Sequence, residues 1–537
     1  MPSSPAKRRF EWPLLNKVSC RSLAELVYFV EQMATDSGAT RTLRLGRRDV
    51  TVLVGLAAAT MVVHFFIGEG YGFHRDELAT LDDARHLAWG YVAYPPVTPL
   101  FARLSLEIFG TSVIGFRFFA AGAAATSILL TGLMARDLGG GRSAQLMAAL
   151  AATPFCLAFG SLMQYVAFDY LWWVLTAYFF ARLCKSKNPR WWLAIGIAIG
   201  CGMLTKYSMT VCVAGLVTGV LLTDLRRHLK SKWLWIGAGL SMLILLPNLT
   251  WQAQHHFISL DFLRHIHERD VRIGRTKDFL PDQLEMNLFA LPIALIGLYF
   301  YFFSPQGQRW RALGWLYVIP FFLFLFAQGR GYYLAPAYPV LFAGGAVWIE
   351  QLFRQWPRWH RLAFGVVWPA LVINIIVTAA VVLPLAPINS QWWKAAVKNN
   401  DDLAEEIGWP ELAETVARIR DSLPEDERAR MGILAGNYGE AGAITLYGPR
   451  FGLPKAISGT NSFWARGYGD PPPETLIVVG FSREFVEHFF ESFELAAHSW
   501  NRYGVANEET TRHPDIFVCR RLRLGWPEFW KNFQRFG

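Results

Sequence analysis

The chain has 537 residues, 53% of them hydrophobic, and a formal net charge of +10. Its mean hydropathy is positive, so most of it belongs in lipid and an ordinary soluble domain is excluded. The charge does not point to nucleic acid, because the basic residues stand in short clusters between apolar runs, as in cytoplasmic membrane loops.

Residues 1–48 carry Lys7, Arg8, Arg9, Lys17, Arg21, Arg41, Arg44, Arg47 and Arg48, with an amphipathic run around Leu23, Leu26, Val27 and Val30. This pattern predicts a cytoplasmic, surface-lying lead-in. The apolar core comes late and is followed by Gly68-Glu69-Gly70, so a cleaved signal peptide is not expected and Thr51 to Ile67 reads as the first span.

Tyr71 to Pro99 then packs acids, bases and a Pro-Pro pair between two apolar segments. Asp76-Glu77 opens a helical pattern in which Leu78, Leu81, Ala84 and Ala88 share one side, while Asp82, Asp83, Arg85 and His86 face elsewhere; Gly90 follows its end. Too short to span, this helix is expected to lie at the membrane surface with its apolar side in the lipid boundary. Asp76 is then either a helix cap or part of a site at the water edge, and Asp82 and Asp83 read as a solvated face.

Ten further apolar runs, near 112–135, 144–162, 166–183, 191–205, 208–223, 234–250, 286–303, 312–328, 333–351 and 361–385, bring the total to about eleven spans. With the N-terminus inside, the clusters Arg136/Arg142, Arg182/Lys185/Lys187/Arg190, Arg226/Arg227/Lys230/Lys232, Arg309/Arg311 and Arg354/Arg358/Arg361 all fall in the cytoplasm. The opposite face collects Tyr71–Pro99, Gln164-Tyr165 with Asp169, Lys206-Tyr207-Ser208, the loop Trp251–Glu285 and Gly329–Tyr333. Singly, Lys206 and Arg330 could snorkel and Asp169 could pair with either. Together, Asp76, Glu77, Asp169, Lys206 and Arg330 on one side predict a shared cavity.

Other signals are weaker. Gly139-Gly140-Gly141 lacks the Lys-Ser/Thr of a phosphate loop and reads as a turn, and the sequon Asn248-Leu249-Thr250 abuts a membrane end. His255, His256, His265 and His267 offer ligands for a divalent metal or, more plainly, a solvent-facing set, and no cofactor is assigned from them. Of the six cysteines, Cys156, Cys184, Cys201 and Cys212 lie in or beside apolar segments and Cys20 and Cys519 near opposite termini, which gives no disulfide framework or zinc spacing.

From Asn389 the composition is that of a small α/β domain, with a helix at Leu412–Ile419 and strands at Gly432–Ala435, Leu476–Val479 and Ile516–Cys519. Gly436-Asn437-Tyr438-Gly439-Glu440-Ala441-Gly442 lacks the dinucleotide spacing and reads as a structural turn or an acceptor contact. The final run Trp526, Phe529, Trp530, Phe533 has helical spacing and is expected to rest on the outer leaflet.

The order of one span, an outer Asp-Glu helix, Gly-Tyr-x-x-Tyr-Pro-Pro, Lys-Tyr-Ser and Arg-Gly-Tyr-Tyr-Leu-Ala-Pro-Ala-Tyr-Pro resembles glycosyltransferase family 39 of the GT-C class. That class includes protein O-mannosyltransferases and the aminoarabinose transferases that modify lipid A. The likeness covers residues 50 to 385, and the tail from NYGEAGAITLYG to GLPKAISGTNSFWARG is similar to the outer domain of many bacterial members. Where aminoarabinose transferases have an acidic-basic-proline turn, this chain has Ala93-Tyr94-Pro95-Pro96.

The resemblance implies an all-α polytopic GT-C domain at 49–385, preceded by the basic segment 1–48 and followed by an extracytoplasmic α/β domain at 389–537. By the same resemblance it would sit in the bacterial plasma membrane and transfer a hexose or pentose from a polyprenyl-phosphate carrier to a hydroxyl of a glycolipid or protein. Asp76 is the implied base, with Glu77 its orienter or a second acid. Lys206 and Arg330 would stabilise the leaving phosphate. Tyr332 and Tyr333, with Asp169 nearby, would bind phosphate or sugar, or form a membrane-interface belt. One inverting displacement needs one base, since the departing phosphate requires no proton. The alternatives are a lipid or solute transporter, for which no repeat is seen, and a non-catalytic envelope scaffold.

Overall fold

The computed structural model describes residues 43–67, 69–355 and 357–537. The lead-in expected around Leu23–Val30, and Cys20, lie outside them. The chain divides into a unit up to Val52 and a compact unit from Leu53 to Gly537, to which everything below refers.

In chain order the helices are α1 (Leu43–Ile67), α2 (Arg75–Arg85), α3 (Val97–Phe109), α4 (Val113–Asp137), α5 (Arg142–Phe159), α6 (Tyr165–Ser186), α7 (Trp191–Met203) and α8 (Met209–Leu221). There follow α9 (Lys232–Gln254), α10 (Ile258–Arg272), α11 (Phe279–Asn287), α12 (Leu291–Phe302), α13 (Arg311–Phe326), α14 (Tyr338–Gln355) and α15 (Pro357–Val382). Among the described residues seven helices are long and apolar enough to cross a membrane, or eight if Met209–Leu221 and Asp224–Lys230, bent by 103°, make one broken span. The eleven runs read from the sequence all fall on helices, but three differ in kind. Helix α7 has 13 residues and is only about 20 Å long, short of the ~30 Å hydrocarbon core. Helix α5 holds Pro154, and α6 carries Asp169, Arg182 and Lys185. Both are largely buried by their neighbours, around an aromatic core of Phe155, Tyr338 and Phe342.

Small residues let these helices close on each other. A Cβ on Gly297 of α12 would stand 2.1 Å from the Leu341 carbonyl of α14, and one on Gly345 of α14 would stand 1.9 Å from that of Ile293. Only glycine permits this backbone approach.

Beyond α16 (Gln391–Asn399), α17 (Trp409–Ser422) and α18 (Glu425–Ala429), the chain builds a sheet of β1 (Met431–Ala435), β2 (Ile457–Ser458), β3 (Thr475–Val479), β4 (Phe490–His498) and β5 (Asp515–Leu522). The order is β2-β1-β3-β5-β4, with β2, β1 and β3 parallel and β5 antiparallel to both its neighbours. Alternation along the strands splits the core. Ile433, Ile477, Ile516 and Val518 face α17 and α19 (Tyr438–Tyr447), while Leu434, Leu476, Val478, Phe517 and Cys519 face Phe529, Trp530 and Phe533.

Two expectations are corrected here. Phe529, Trp530 and Phe533 pack on the sheet and are buried, so they do not reach the outer leaflet. The apolar side of α2 does not meet lipid either: Leu78, Leu81 and Ala84 share one core with Leu412, Val416 and Ile444 of the C-terminal α/β domain.

Candidate functional site

Helix α2 begins with a capping box made by residues other than the expected one. His74, in extended conformation, is the N-cap, its Nδ1 accepts the Asp76 amide at 3.2 Å, and Glu77 returns a carboxylate oxygen to the His74 amide at 3.0 Å. Asp76 is therefore not spent on capping. Its Oδ1 accepts the Tyr438 hydroxyl at 2.7 Å and its Oδ2 accepts Gln164 Nε2 at 3.0 Å.

Asp76 lines a cavity of about 1040 Å³ that also reaches Lys206, Arg330, Tyr332 and Tyr333. Lys206, in the turn after α7, is surrounded by rings: its Nζ lies 4.3 Å from the centre of Tyr333, 5.1 Å from Tyr165 and 5.3 Å from Tyr332. Ring faces draw the ammonium without neutralising it. Its nearest carboxylate, Asp169 at 3.9 Å, is buried, accepts Ser208 Oγ at 3.1 Å, and is not among the cavity-lining residues. Arg330 donates to Asp270 of α10 at 2.6 Å instead of to Asp169. Burial works against the Asp270 charge, but the Arg330 hydrogen bond and charge outweigh it and hold this carboxyl below its ordinary value.

Glu77 is absent from the cavity lining. It is fully buried, and its two oxygens accept Arg117 Nε at 2.9 Å, Arg117 Nη2 at 2.6 Å and the Met163 amide at 2.8 Å as well as the His74 amide. Every strong acceptor position is occupied, which leaves it no capacity as a second acid facing a substrate.

Asp82 and Asp83 are buried as well, contrary to the solvated face expected of them. Arg466 of the C-terminal α/β domain pairs with both, and Tyr94 donates to Asp83 at 2.7 Å. Burial pushes the Asp83 carboxyl up to about 6 even with Arg466 beside it. Of the Ala93-Tyr94-Pro95-Pro96 turn, Ala93, Tyr94 and Pro95 line the cavity.

The four loop histidines do not converge: His255 stacks on Trp251 and His265 lies against Phe536. Among the described residues no group of three or more His, Cys, Asp or Glu side chains is placed to hold a metal. Asn248 is buried, donating to the Trp89 carbonyl and accepting from Tyr207, so its sequon is closed to a glycan.

Sequence reasoning missed Tyr438, Asp270 and Arg466 as partners of the site. Only Tyr438 had a signal, since it sits in the Gly436–Gly442 stretch whose alternatives included an acceptor contact.

The chain is thus a multi-pass membrane protein in which the Asp76 carboxylate and the Lys206 and Arg330 cations line a common cavity. Residues 93–251 match the family described as dolichyl-phosphate-mannose-protein mannosyltransferase. The lipid A galacturonosyltransferase RgtD of Rhizobium johnstonii is 27% identical over 225 residues, 40% of this chain and 44% of its own, so this chain spans less than half of that relative. ArnT from Cupriavidus metallidurans bound to undecaprenyl phosphate superposes with a TM-score of 0.54 at 15% identity, over 87% of this chain and 97% of ArnT. Its apo state gives 0.54 at 14% identity over the same shares. The chain has the GT-C membrane fold and the family-39 likeness that its motifs carry.

Proposed function

We propose that the chain is an integral-membrane glycosyltransferase that moves a sugar from a polyprenyl-phosphate donor to a hydroxyl of a lipid or protein acceptor, with inversion. The observation that carries this is the single cavity in which Asp76 meets Lys206 and Arg330. Neither a transporter nor a scaffold requires that convergence. The names of the relatives support the donor and acceptor classes, since ArnT is bound to undecaprenyl phosphate and RgtD acts on lipid A.

In this reading Asp76 takes the proton of the acceptor hydroxyl as its oxygen attacks the anomeric carbon. The bond to the carrier phosphate breaks on the opposite face, and Lys206 and Arg330 hold the negative charge that develops there. Tyr332 and Tyr333 position phosphate and sugar, and Asp169 keeps Lys206 charged and in place. Glu77, tied to Arg117, sets the direction of the helix that presents Asp76. The site faces out of a bacterial plasma membrane, with the N-terminus cytoplasmic, the transfer domain at 49–385 and the α/β domain at 389–537 outside. Asp137, which pairs with Arg182 and Lys185, supports this orientation, because those basic residues lie about 20 Å along α6 from Asp169.

Mass spectrometry of glycolipids and envelope proteins from cells with and without the gene identifies the product. With that product as the assay, Asp76→Asn lowers kcat by about 10²- to 10⁴-fold while binding of the polyprenyl-phosphate-linked sugar is kept. A folded variant that transfers sugar at the wild-type rate would remove Asp76 as the base.

A further inference from the structure

The outer domain reaches into the site through one side chain. Tyr438 opens α19, directly after β1, and its hydroxyl lies 2.7 Å from Asp76 Oδ1 across 362 residues of chain. Its placement is built in detail. Asn437 caps the helix by accepting the Glu440 amide at 2.9 Å, and Glu440 turns back to accept the amides of Asn437 at 3.1 Å and Gly436 at 2.9 Å. The Arg75 guanidinium lies 5.0 Å from the centre of the Tyr438 ring, and Arg75 is itself held by Glu508 and Glu405. Burial and the neighbouring Asp76 carboxylate raise the phenol well above its ordinary range, so the hydroxyl keeps its proton and acts as donor.

We infer that Tyr438 is a positioning residue for sugar transfer: its hydroxyl, delivered by the outer domain, fixes the Asp76 carboxylate in the orientation from which it receives the acceptor's proton. This rests on Asp76 being the base. Gln164 holds the other oxygen from the membrane domain, so the carboxylate is pinned between two parts of the chain. A carboxylate oxygen accepts more than one hydrogen bond, and both atoms retain a lone pair for the acceptor hydroxyl. The outer domain is then part of the catalytic apparatus, and the site is complete only when α19 is docked on α2.

The test is Tyr438→Phe in the full-length protein, assayed with the product identified above over a range of donor concentration. The substitution removes one oxygen and keeps the ring, its packing and the Arg75 contact, and a melting curve run alongside checks folding. The expected result is a kcat lower by about tenfold to a hundredfold, the scale of one hydrogen bond to a charged group. KM for the donor stays within about twofold, as expected when an interaction made in the transition state is lost. A variant with the wild-type kcat, or one whose KM for the donor rises in step with the fall in kcat, overturns the inference. Asp76→Asn measured in parallel separates the two assignments. If Asp76→Asn is inactive and Tyr438→Phe is unaltered, only the role of Tyr438 falls; if Asp76→Asn is fully active, the base assignment falls first.

Discussion

Asp76 and Glu77 are adjacent acids that sequence alone cannot rank, yet they have opposite surroundings. Neighbours on a helix point about 100° apart, so one carboxylate enters the cavity while the other turns into the bundle to meet Arg117. That guanidinium is buried and also lies 3.4 Å from Glu406. Arg117→Met is therefore expected to leave two buried carboxylates uncompensated and to cost about 3–5 kcal/mol, read as a lower melting temperature of the purified protein. Adding Glu77→Leu should recover part of the loss, since only one of the two buried carboxylates, Glu406, then remains without Arg117. The sidedness of Asp76, Lys206 and Arg330 was legible because span counting and loop charge place a residue on a face. What those rules cannot supply is a partner distant in sequence. Asp83 and Arg466 are 383 residues apart, and nothing local to Asp83 distinguishes a buried ion pair from a wetted one.

Helix α2 shows how far periodicity reads. Leu78, Leu81 and Ala84 on one side declare that this side is covered, and do not say by what. The cover is α19, which approaches so closely that a Cβ on Gly442 would sit 2.8 Å from Leu78. Gly442→Val is expected to wedge the two helices apart at about 1–3 kcal/mol. A lower melting temperature and faster proteolysis within the C-terminal α/β domain would report it, and an unchanged protein would show that the contact tolerates bulk. The same limit explains the final helix, whose amphipathic face found the sheet and not the leaflet. Strands β1, β3 and β5 were legible as apolar runs because both their faces are packed. Strand β4 was not, since it lies at the sheet edge with most of its side chains exposed, so its sequence FESFELAAH carries no continuous apolar run.

At the level of the molecule, the junction between the C-terminal α/β domain and α2 buries acids as well as apolar side chains, and this makes its stability depend on pH. Burial pushes Glu440 from 4.5 up to about 8, helped by the nearby Glu509 charge, and pushes Glu406 up to about 7 against the pull of Arg117. A carboxyl whose folded value is raised binds its proton more tightly in the native state than in the unfolded chain. Its contribution is therefore fully present below about 4.5 and is lost as pH rises through the folded value. For Glu440 the window runs from 4.5 to about 8, and one proton corresponds to a slope of at most about 1.4 kcal/mol per pH unit. The melting temperature in detergent should consequently fall as the pH rises from about 4.5 to about 8.5, across that window. Glu440→Gln offers the control, because an amide oxygen can still accept the Gly436 and Asn437 amides while the titration is gone. The variant should show a flatter dependence on pH and match or exceed the wild type at the alkaline end. Since Glu440 caps the helix that carries Tyr438, the same substitution should leave Asp76 with its phenolic partner, and retention of transfer activity would separate the stability of the junction from the chemistry it supports.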